Sequence, residues 1–170
     1  ATAITGTIPQ GNIANASLGA VTALPGAIAT GKVLQVVTAL DGTNRATTSQ
    51  TFGLNSSTLT LNITPSATSS KILITCSAML YISAQAARLT IFRDSTNIGG
   101  SNGRGIVGHY LYTADTADNH FPVNMVILDS PSSTSSLSYS VQYAGSGSND
   151  TIAFNNRSMK TSIVLMEIAG

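Results

Sequence analysis

Residues 58–83, TLTLNITPSATSSKILITCSAMLYIS, decide the fold class. In the first seven of them, leucine and isoleucine alternate with threonine and asparagine, which predicts a β-strand with one buried and one solvated face. The Pro65-Ser66 pair then predicts a turn, because proline presets the backbone for one and serine can hydrogen-bond to it. Residues 71–83 follow as a second strand, so the whole stretch indicates strand, turn and strand.

The same pattern continues on both sides of this stretch. Turn residues such as Asp41-Gly42 and Ser130-Pro131 separate short runs rich in β-branched and aromatic residues. With residues 58–64 and 71–83 the candidate strands number ten; the other eight are residues 32–39, 45–52, 86–94, 106–113, 120–128, 137–144, 151–155 and 161–169. Because no helix alternates with them, the sequence predicts an all-β fold, a ten-stranded β-sandwich of the jelly-roll type.

The composition argues against several classes of protein. Charged residues make up 9% of the chain, against about 25% in an average domain. Eight basic and seven acidic residues are scattered singly, so no basic stripe is available to hold nucleic-acid phosphates. No apolar run reaches the roughly 18 residues of a membrane helix, and no signal peptide is recognisable. Since the chain begins with alanine, we expect either a processed product or an excised piece of a longer protein, and we favour the excised piece.

Groups that could carry catalysis or bind a metal are sparse. Asp115 and Asp118 sit in a turn sequence where aspartate is common, and no other acidic pair is recognisable. His109 and His120 fall on neighbouring predicted strands, but a zinc site needs further ligands that the sequence does not offer. Cys76 is in phase with aliphatic residues, which predicts a buried, inert thiol. We therefore expect no enzyme activity, no cofactor and no bound metal.

Residues 1–30 differ from the rest because they contain no charged side chain. Isoleucine, leucine and valine recur every three to five residues among glycine, alanine and two prolines, a spacing that fits neither a helix nor a strand. Three copies wound about one axis would bury these apolar residues. We predict a fibre shaft end or collar for residues 1–30 and a head domain for residues 31–170; a flexible linker is the alternative for the first segment.

Two of the strands predict assembly. In residues 32–39, apolar side chains lie on both faces, so both faces need cover, and residues 161–169 behave likewise. The sandwich core covers one face and, in a chain without helices, we expect a second subunit of a homotrimer to cover the other. The predicted interface residues are Val33, Leu34, Val36, Val164, Met166 and Ile168. The alternative is that loops of the same chain cover both strands.

Four runs carry a resemblance to a known family: residues 31–39 (GKVLQVVTA), 63–80 (ITPSATSSKILITCSAML), 88–100 (RLTIFRDSTNIGG) and 161–170 (TSIVLMEIAG). They resemble the C-terminal domains of phage tail-fibre and related tail structural proteins. The ten-strand layout is also similar to the trimeric jelly roll of the C1q and tumour-necrosis-factor superfamily. The resemblance covers most of residues 31–170 and implies a homotrimer on the virion that binds a receptor. It transfers no functional residue.

Loops at one end of the sandwich are the predicted receptor site. If ten strands run up and down, the loops after odd-numbered strands lie at the end away from the termini; these are residues 40–44, 65–70, 95–105, 129–136 and 156–160. Long loops on a rigid sandwich commonly carry recognition. The candidate receptor-binding residues are Asn97, Asn102, Arg104, Asn156, Arg157 and Lys160. The alternative is that these are solvated loop residues without a ligand.

Three functional hypotheses follow. The first is a phage tail-fibre tip or receptor-binding head domain that attaches to a host-surface glycan or protein and joins other virion or tail proteins through residues 1–30. The second is a purely structural virion component, such as a head fibre, decoration or collar protein, without its own ligand. The third, an enzyme such as a glycan depolymerase, needs an acidic pair brought together between subunits, and the sequence shows no sign of one.

Overall fold

The computed structural model describes residues 32–53, 59–83, 86–100, 105–110, 119–145 and 151–170. The predicted shaft, residues 1–30, lies outside the described residues, as do Asn102, Arg104, Asp115 and Asp118. The domain boundary predicted between residues 30 and 31 therefore stays a prediction. Within the described ranges no helix is long and apolar enough to cross a membrane.

Strands account for nearly all of the described regular structure. They are β1 (Val33–Asp41), β2 (Arg45–Thr47), β3 (Thr60–Ile63), β4 (Lys71–Ser83), β5 (Ala86–Arg93), β6 (Thr96–Asn97), β7 (Val107–Tyr110), β8 (Asn119–Asp129), β9 (Leu137–Gly145), β10 (Thr151–Phe154) and β11 (Thr161–Ile168). One short 3-10 turn, Asn156–Ser158, separates β10 from β11. Each predicted strand is present at least in part, which confirms the all-β prediction, and the two-residue β6 is an addition.

The first sheet contains two strand lines that are each broken in the middle. β2 continues the line of β1, and β10 lies in the line of β11, because Asp41 pairs with Thr161 and Arg45 pairs with Phe154. β4 pairs with both halves of the second line and, on its other side, with β8. The order across this antiparallel sheet is therefore β1/β2, β11/β10, β4 and β8.

The second sheet completes a jelly roll. Its order is β3, β9, β5 and β7, and the short β6 pairs with the end of β5. Counting each broken line once and leaving out β6 gives four strands in each sheet. In chain order the first sheet then holds strands one, eight, three and six, and the second holds two, seven, four and five. This is the order of two Greek keys wound into a sandwich, so the predicted fold class is confirmed.

The core lies between the two sheets and is made by alternate residues of each strand. β4 contributes six side chains that are each at most 6% exposed: Ile72, Ile74, Cys76, Ala78, Leu80 and Ile82. From the facing sheet, Tyr143 is fully buried, and its ring centroid lies 4.6 Å from that of Phe154 in an edge-on contact. Burial raises the pKa of the Cys76 thiol to about 12, so the predicted inert thiol is confirmed.

The end of the sandwich where β1 begins and β11 ends, here called the base, also carries several turns. Val33 pairs with Ile168, and the amide nitrogen of Ala169 donates to the carbonyl oxygen of Lys32 at 2.8 Å. Lys71 also pairs with Ile168, so the turn before β4 lies at the base. The segment after β5 and the loop between β8 and β9 start from the same end.

The predicted position of the loops is therefore wrong for residues 65–70, for residues 129–136 and for residues 95–100, the described beginning of the loop predicted at 95–105. Those loops were expected at the end away from the termini, and the structure places them at, or starting from, the base. The error arose because β2 was counted as a strand that reverses the chain. Because β2 instead continues β1 in the same direction, every later strand up to β10 runs opposite to the predicted direction.

Candidate interaction surface

The outward side chains of the first sheet form rows across it. Since alternate residues of β4 point into the core, the residues between them point outward. The pairing register places four apolar residues side by side in one row, each on a different strand: Val36, Met166, Leu73 and Leu128. The next row contains Thr38, Val164, Thr75 and Val126. We call the apolar part of this surface the outer apolar face; it comprises Val33, Leu34, Val36, Leu40, Leu73, Val126, Leu128, Val164, Met166 and Ile168.

The outer apolar face is widely exposed. Its most exposed members are Val33 (52%), Leu34 (45%), Val36 (53%), Leu40 (65%), Val126 (64%) and Leu128 (54%). All six lie on β1 and β8, the outermost strands of the first sheet in the described chain. Lys71 is the only lysine, arginine, aspartate or glutamate among the described outward residues of this sheet. A contiguous apolar surface with so little charge is typical of interaction sites, so this face is the candidate surface.

The structure brings all six predicted interface residues onto this face. Val33, Leu34 and Val36 are exposed, and Val164, Met166 and Ile168 are half-buried beside them on β11. The alternative, that loops of the same chain cover β1, finds no support in the described residues, because no described residue buries Val36. The homotrimer itself stays a prediction.

The second sheet shows the opposite arrangement on its outer side. Three polar residues there are almost fully buried: Thr90, Ser140 and Gln142. Segments of the same chain lie over this sheet: the Phe52 ring contacts the Phe92 ring at 6.3 Å, and the Arg88 guanidinium lies 5.6 Å from the Phe52 centroid. The polar outer side is thus covered by the chain itself, while the apolar one is bare. Because of that contrast, the first sheet carries the candidate interaction surface.

Gly105 lets the chain directly before β7 lie close to the backbone of β5. Its φ is +78°, and a Cβ built there would lie 2.2 Å from the carbonyl oxygen of Leu89. We expect Gly105→Ala to destabilise the domain by about 2 kcal/mol or more, because both the backbone conformation and the contact exclude a side chain. Gly53→Ala is the matched control, since nothing lies within 4 Å of a Cβ there. Chemical denaturation of both variants tests this, and equal loss in the two would contradict it.

Three buried or half-buried carboxylates lie near the rims of the first sheet, and each is held in a structural cluster. At the base, Glu167 is fully buried and accepts from the Gln35 side-chain amide (2.6 Å), the Ser66 amide (2.7 Å), the Ser66 hydroxyl (2.6 Å) and the Ser70 hydroxyl (2.7 Å). Burial alone acts to raise the pKa of Glu167, but these hydrogen bonds outweigh it and lower the pKa to about 2. The cluster ties the β3–β4 turn to the last strand.

A second cluster joins the two sheets near the base. The Arg93 guanidinium donates to both carboxylate oxygens of Asp129 at 2.8 Å, and the Tyr139 hydroxyl donates to the same carboxylate at 2.6 Å. Burial, and then the hydrogen bond to Asp129, raises the pKa of Tyr139 above its usual range. This tyrosine therefore has a structural role, because its ring is in the core and its hydroxyl donates to Asp129.

The third cluster lies where the two strand lines of the first sheet break. The Asp41 carboxylate accepts from the Thr43 amide (3.1 Å), from Arg45 and from the Asn155 side chain (3.3 Å). Asn155 also donates to the Thr43 carbonyl (3.1 Å) and accepts from the Thr161 hydroxyl (2.8 Å). Asn155 is fully buried with a left-handed backbone, φ 58°. The cluster therefore joins the two breaks and fixes the turn that follows.

That turn carries three of the predicted receptor-binding residues. Asn156, Arg157 and Lys160 lie together between β10 and β11, with Arg157 and Lys160 exposed. Arg157 and Ser158 both have left-handed backbones, φ 58° and 63°, conformations that non-glycine residues rarely adopt. The structure thus presents a short basic turn at the break between β10 and β11, held by the Asp41–Asn155 cluster.

Asn97 lies elsewhere, and its amide oxygen is in use. It accepts from the Thr90 hydroxyl at 2.6 Å and from the Gly99 amide at 3.0 Å, so it shapes the segment after β5. Asn102 and Arg104 lie outside the described residues. The six candidate residues are therefore not brought together into one site by the described structure, and their receptor role stays a prediction.

The described residues contain little that could act as a catalytic or metal centre. No group of three or more histidine, cysteine, aspartate or glutamate residues is close enough among them to hold a metal ion. His109 and His120, on neighbouring predicted strands, belong to different sheets, β7 in the second and β8 in the first. The His120 ring instead lies 5.3 Å from the Tyr81 ring on the outer side of the first sheet.

Comparisons with known proteins find little resemblance. No family model and no curated protein matches the chain. Among solved structures it is similar to the VP2 subviral particle of infectious bursal disease virus, with 14% sequence identity and a TM-score of 0.26. That match covers 79% of this chain and 38% of the VP2 chain, so this chain spans well under half of it.

Sequence reasoning missed the part of the outer apolar face that β8 contributes. Val126 and Leu128 are more exposed than most residues of β1, yet neither was a candidate. A signal was present, because residues 126–128 are apolar on both faces of their strand, the same property that singled out residues 32–39. Pro122 and Asn124 lie earlier on the same outward side, so the pattern of the whole strand is that of a strand with one solvated face.

Proposed function

We propose that this chain is a non-enzymatic virion structural protein, the head domain of a phage-type fibre, and that it assembles as a homotrimer through its outer apolar face. The observation that carries the proposal is the bare, nearly charge-free surface across β1, β11, β4 and β8. Residues 1–30 then join it to other virion or tail proteins. The resemblance of most of residues 31–170 to phage tail-fibre proteins supports the same interpretation.

Burial of this face is energetically favourable. Apolar area removed from water contributes about 25 cal/mol per Å², and six large side chains of the face are each roughly half exposed. A closed cyclic assembly buries the same patch on every copy and leaves none exposed. A monomer would keep the patch in water.

Attachment to a host-surface glycan or protein is the second part of the proposal. The basic turn with Asn156, Arg157 and Lys160 supports it, because its backbone is fixed and its charged side chains are exposed. The alternative is a purely structural virion component without a ligand. The engaged amide oxygen of Asn97 favours that alternative for the base of the sandwich.

Light scattering coupled to gel filtration tests the assembly. We expect the full chain to elute at about three times its mass of 17.4 kDa. A monomeric mass at micromolar concentration would contradict the homotrimer. Attachment is then measured as binding to intact host cells and to a glycan array. There, a variant with Arg157→Ser and Lys160→Ser should lose binding, while Lys32→Ser, an exposed cation at the base, should keep it. Equal binding by both variants would contradict the basic turn as the binding site, and no binding by the wild type would favour the purely structural alternative.

A further inference from the structure

The most exposed apolar side chains of the outer apolar face lie along its two edges, here called the β1 flank and the β8 flank. Val33, Leu34, Val36 and Leu40 lie on β1, and Val126 and Leu128 lie on β8, at opposite edges of the first sheet. With two strands between them, the flanks are about 15 Å apart. The strands between, β11 and β4, contribute only half-buried apolar residues to the same face.

The middle of the sheet is less apolar than its flanks. Above the row of Met166 and Leu73, the two middle strands carry three outward hydroxyls, Thr75, Ser77 and Ser162, beside the half-buried Val164 and Met79. Two copies stacked face to face would bury those hydroxyls at the centre of the contact, where each needs a hydrogen-bond partner. A contact between the β1 flank of one copy and the β8 flank of another buries the most exposed apolar residues and leaves these hydroxyls outside the contact.

Residues of the β1 flank and the β8 flank that share a row lie at the same height along the strand direction. Val36 on β1 and Leu128 on β8 belong to the same row, and Thr38 and Val126 to the next. A rotation about an axis parallel to the strands leaves the position along the axis unchanged. Neighbouring copies in a ring around such an axis therefore meet row to row, and Val36 of one copy faces Leu128 of the next.

We infer that the partner of this surface is a second copy of the chain, and that the contact is heterologous: the β1 flank of one copy packs on the β8 flank of the next, with Val36 against Leu128. The inference rests on the proposed homotrimer and names its geometry. A repeated heterologous contact closes into a ring when the rotation between neighbours divides a full turn, and the proposed homotrimer requires one third of a turn. Both flanks are apolar and uncharged, which suits them to each other and offers no charge for a polar partner to recognise.

Charge exchange between the flanks tests this geometry. Val36→Lys alone and Leu128→Glu alone should each reduce the mass in solution from three chains to one, because each places a charge against an apolar flank. The chain with both substitutions should return to three chains, since every contact then pairs a lysine with a glutamate. Both positions are about half exposed, so neither substitution is expected to prevent folding. Circular dichroism checks this, and Val36→Ser and Leu128→Ser replace any variant that does not fold.

Mixing the two single variants separates a ring from a two-fold dimer. In a ring of three, at least two neighbours carry the same substitution, so one contact stays defective and the mixture should not recover. In a two-fold dimer that pairs β1 with β8, the mixture recovers fully, and that result would overturn the ring. Asn62→Lys, an exposed position on the other sheet, should leave the mass unchanged.

The remaining outcomes separate this inference from the proposal beneath it. A wild-type trimer whose doubly substituted chain stays monomeric overturns the β1-to-β8 contact and leaves the homotrimer standing. A wild-type monomer overturns both. A wild-type monomer that sediments with phosphatidylglycerol vesicles, and loses this with Leu128→Glu, would assign the face to a lipid surface instead.

Discussion

Replacing Glu167 with alanine is expected to destabilise the sandwich by about 3 kcal/mol or more, the largest effect we expect from a single substitution away from the outer apolar face. The substitution removes one buried acceptor and leaves four donor groups without it: the Gln35 side-chain amide, the Ser66 backbone amide, the Ser66 hydroxyl and the Ser70 hydroxyl. It also releases the β3–β4 turn from the last strand. Chemical denaturation at pH 7 measures the loss.

The pH dependence identifies the charge as the cause. The folded pKa of Glu167 is about 2, lowered from 4.5, so its contribution to stability is fully present above pH 4.5 and is lost as the pH falls towards 2. Glu167→Gln keeps the shape but not the charge. The difference in stability between the wild type and Glu167→Gln should therefore be largest above pH 4.5 and shrink towards pH 2. A difference that stays constant across this range would show that the hydrogen bonds do not depend on the charge.

Asn155→Ala is expected to destabilise the domain by about 2 to 4 kcal/mol, the second large effect. Asn155 is fully buried and bonds to Asp41, Thr43 and Thr161, which belong to both broken strand lines. Its left-handed backbone adds to the cost, because alanine tolerates that conformation less well than asparagine. Thermal and chemical denaturation measure the effect.

A glycine at the same position separates the two causes. Asn155→Gly keeps the left-handed backbone at little cost and removes only the side-chain hydrogen bonds. If it loses nearly as much stability as Asn155→Ala, the hydrogen bonds dominate. Asn156→Ala, one residue further and only half-buried, is the matched control and should change stability by less than about 0.5 kcal/mol. A comparable loss in Asn156→Ala would contradict the role given to the buried cluster.

Side-chain alternation predicted which faces of the strands are buried. Leu59 and Ile63 are in the core and Asn62 is exposed, as their alternation in the sequence indicates. The same reasoning, applied to residues 32–39, predicted that both faces of this strand are apolar, and the structure leaves one of them bare. Residues 126–128 by themselves also predict a strand with two apolar faces, but the proline and asparagine before them give the start of the same strand a partly polar face.

Side-chain alternation does not predict the direction in which each strand runs. Asp41-Gly42 is a strong turn signal, and with strands predicted on both sides of it the sequence predicts that the chain reverses there. In the structure the chain only breaks there, because the neighbouring line breaks at the same height and Asn155 bonds across to Asp41. That one difference put three of the five predicted receptor loops, residues 65–70, 95–105 and 129–136, at the wrong end of the sandwich in the prediction.

The sequence by itself determined the fold class, the strands and the apolar character of their faces, because the period of two along a strand is a local property of the backbone. Only the tertiary structure decided which way the strands run, which loops share an end and which polar groups meet. Asn155 and Asp41 are 114 residues apart, and Glu167 and Ser66 are 101 apart. Contacts of that separation depend on how the strands pair, and no local pattern encodes the pairing.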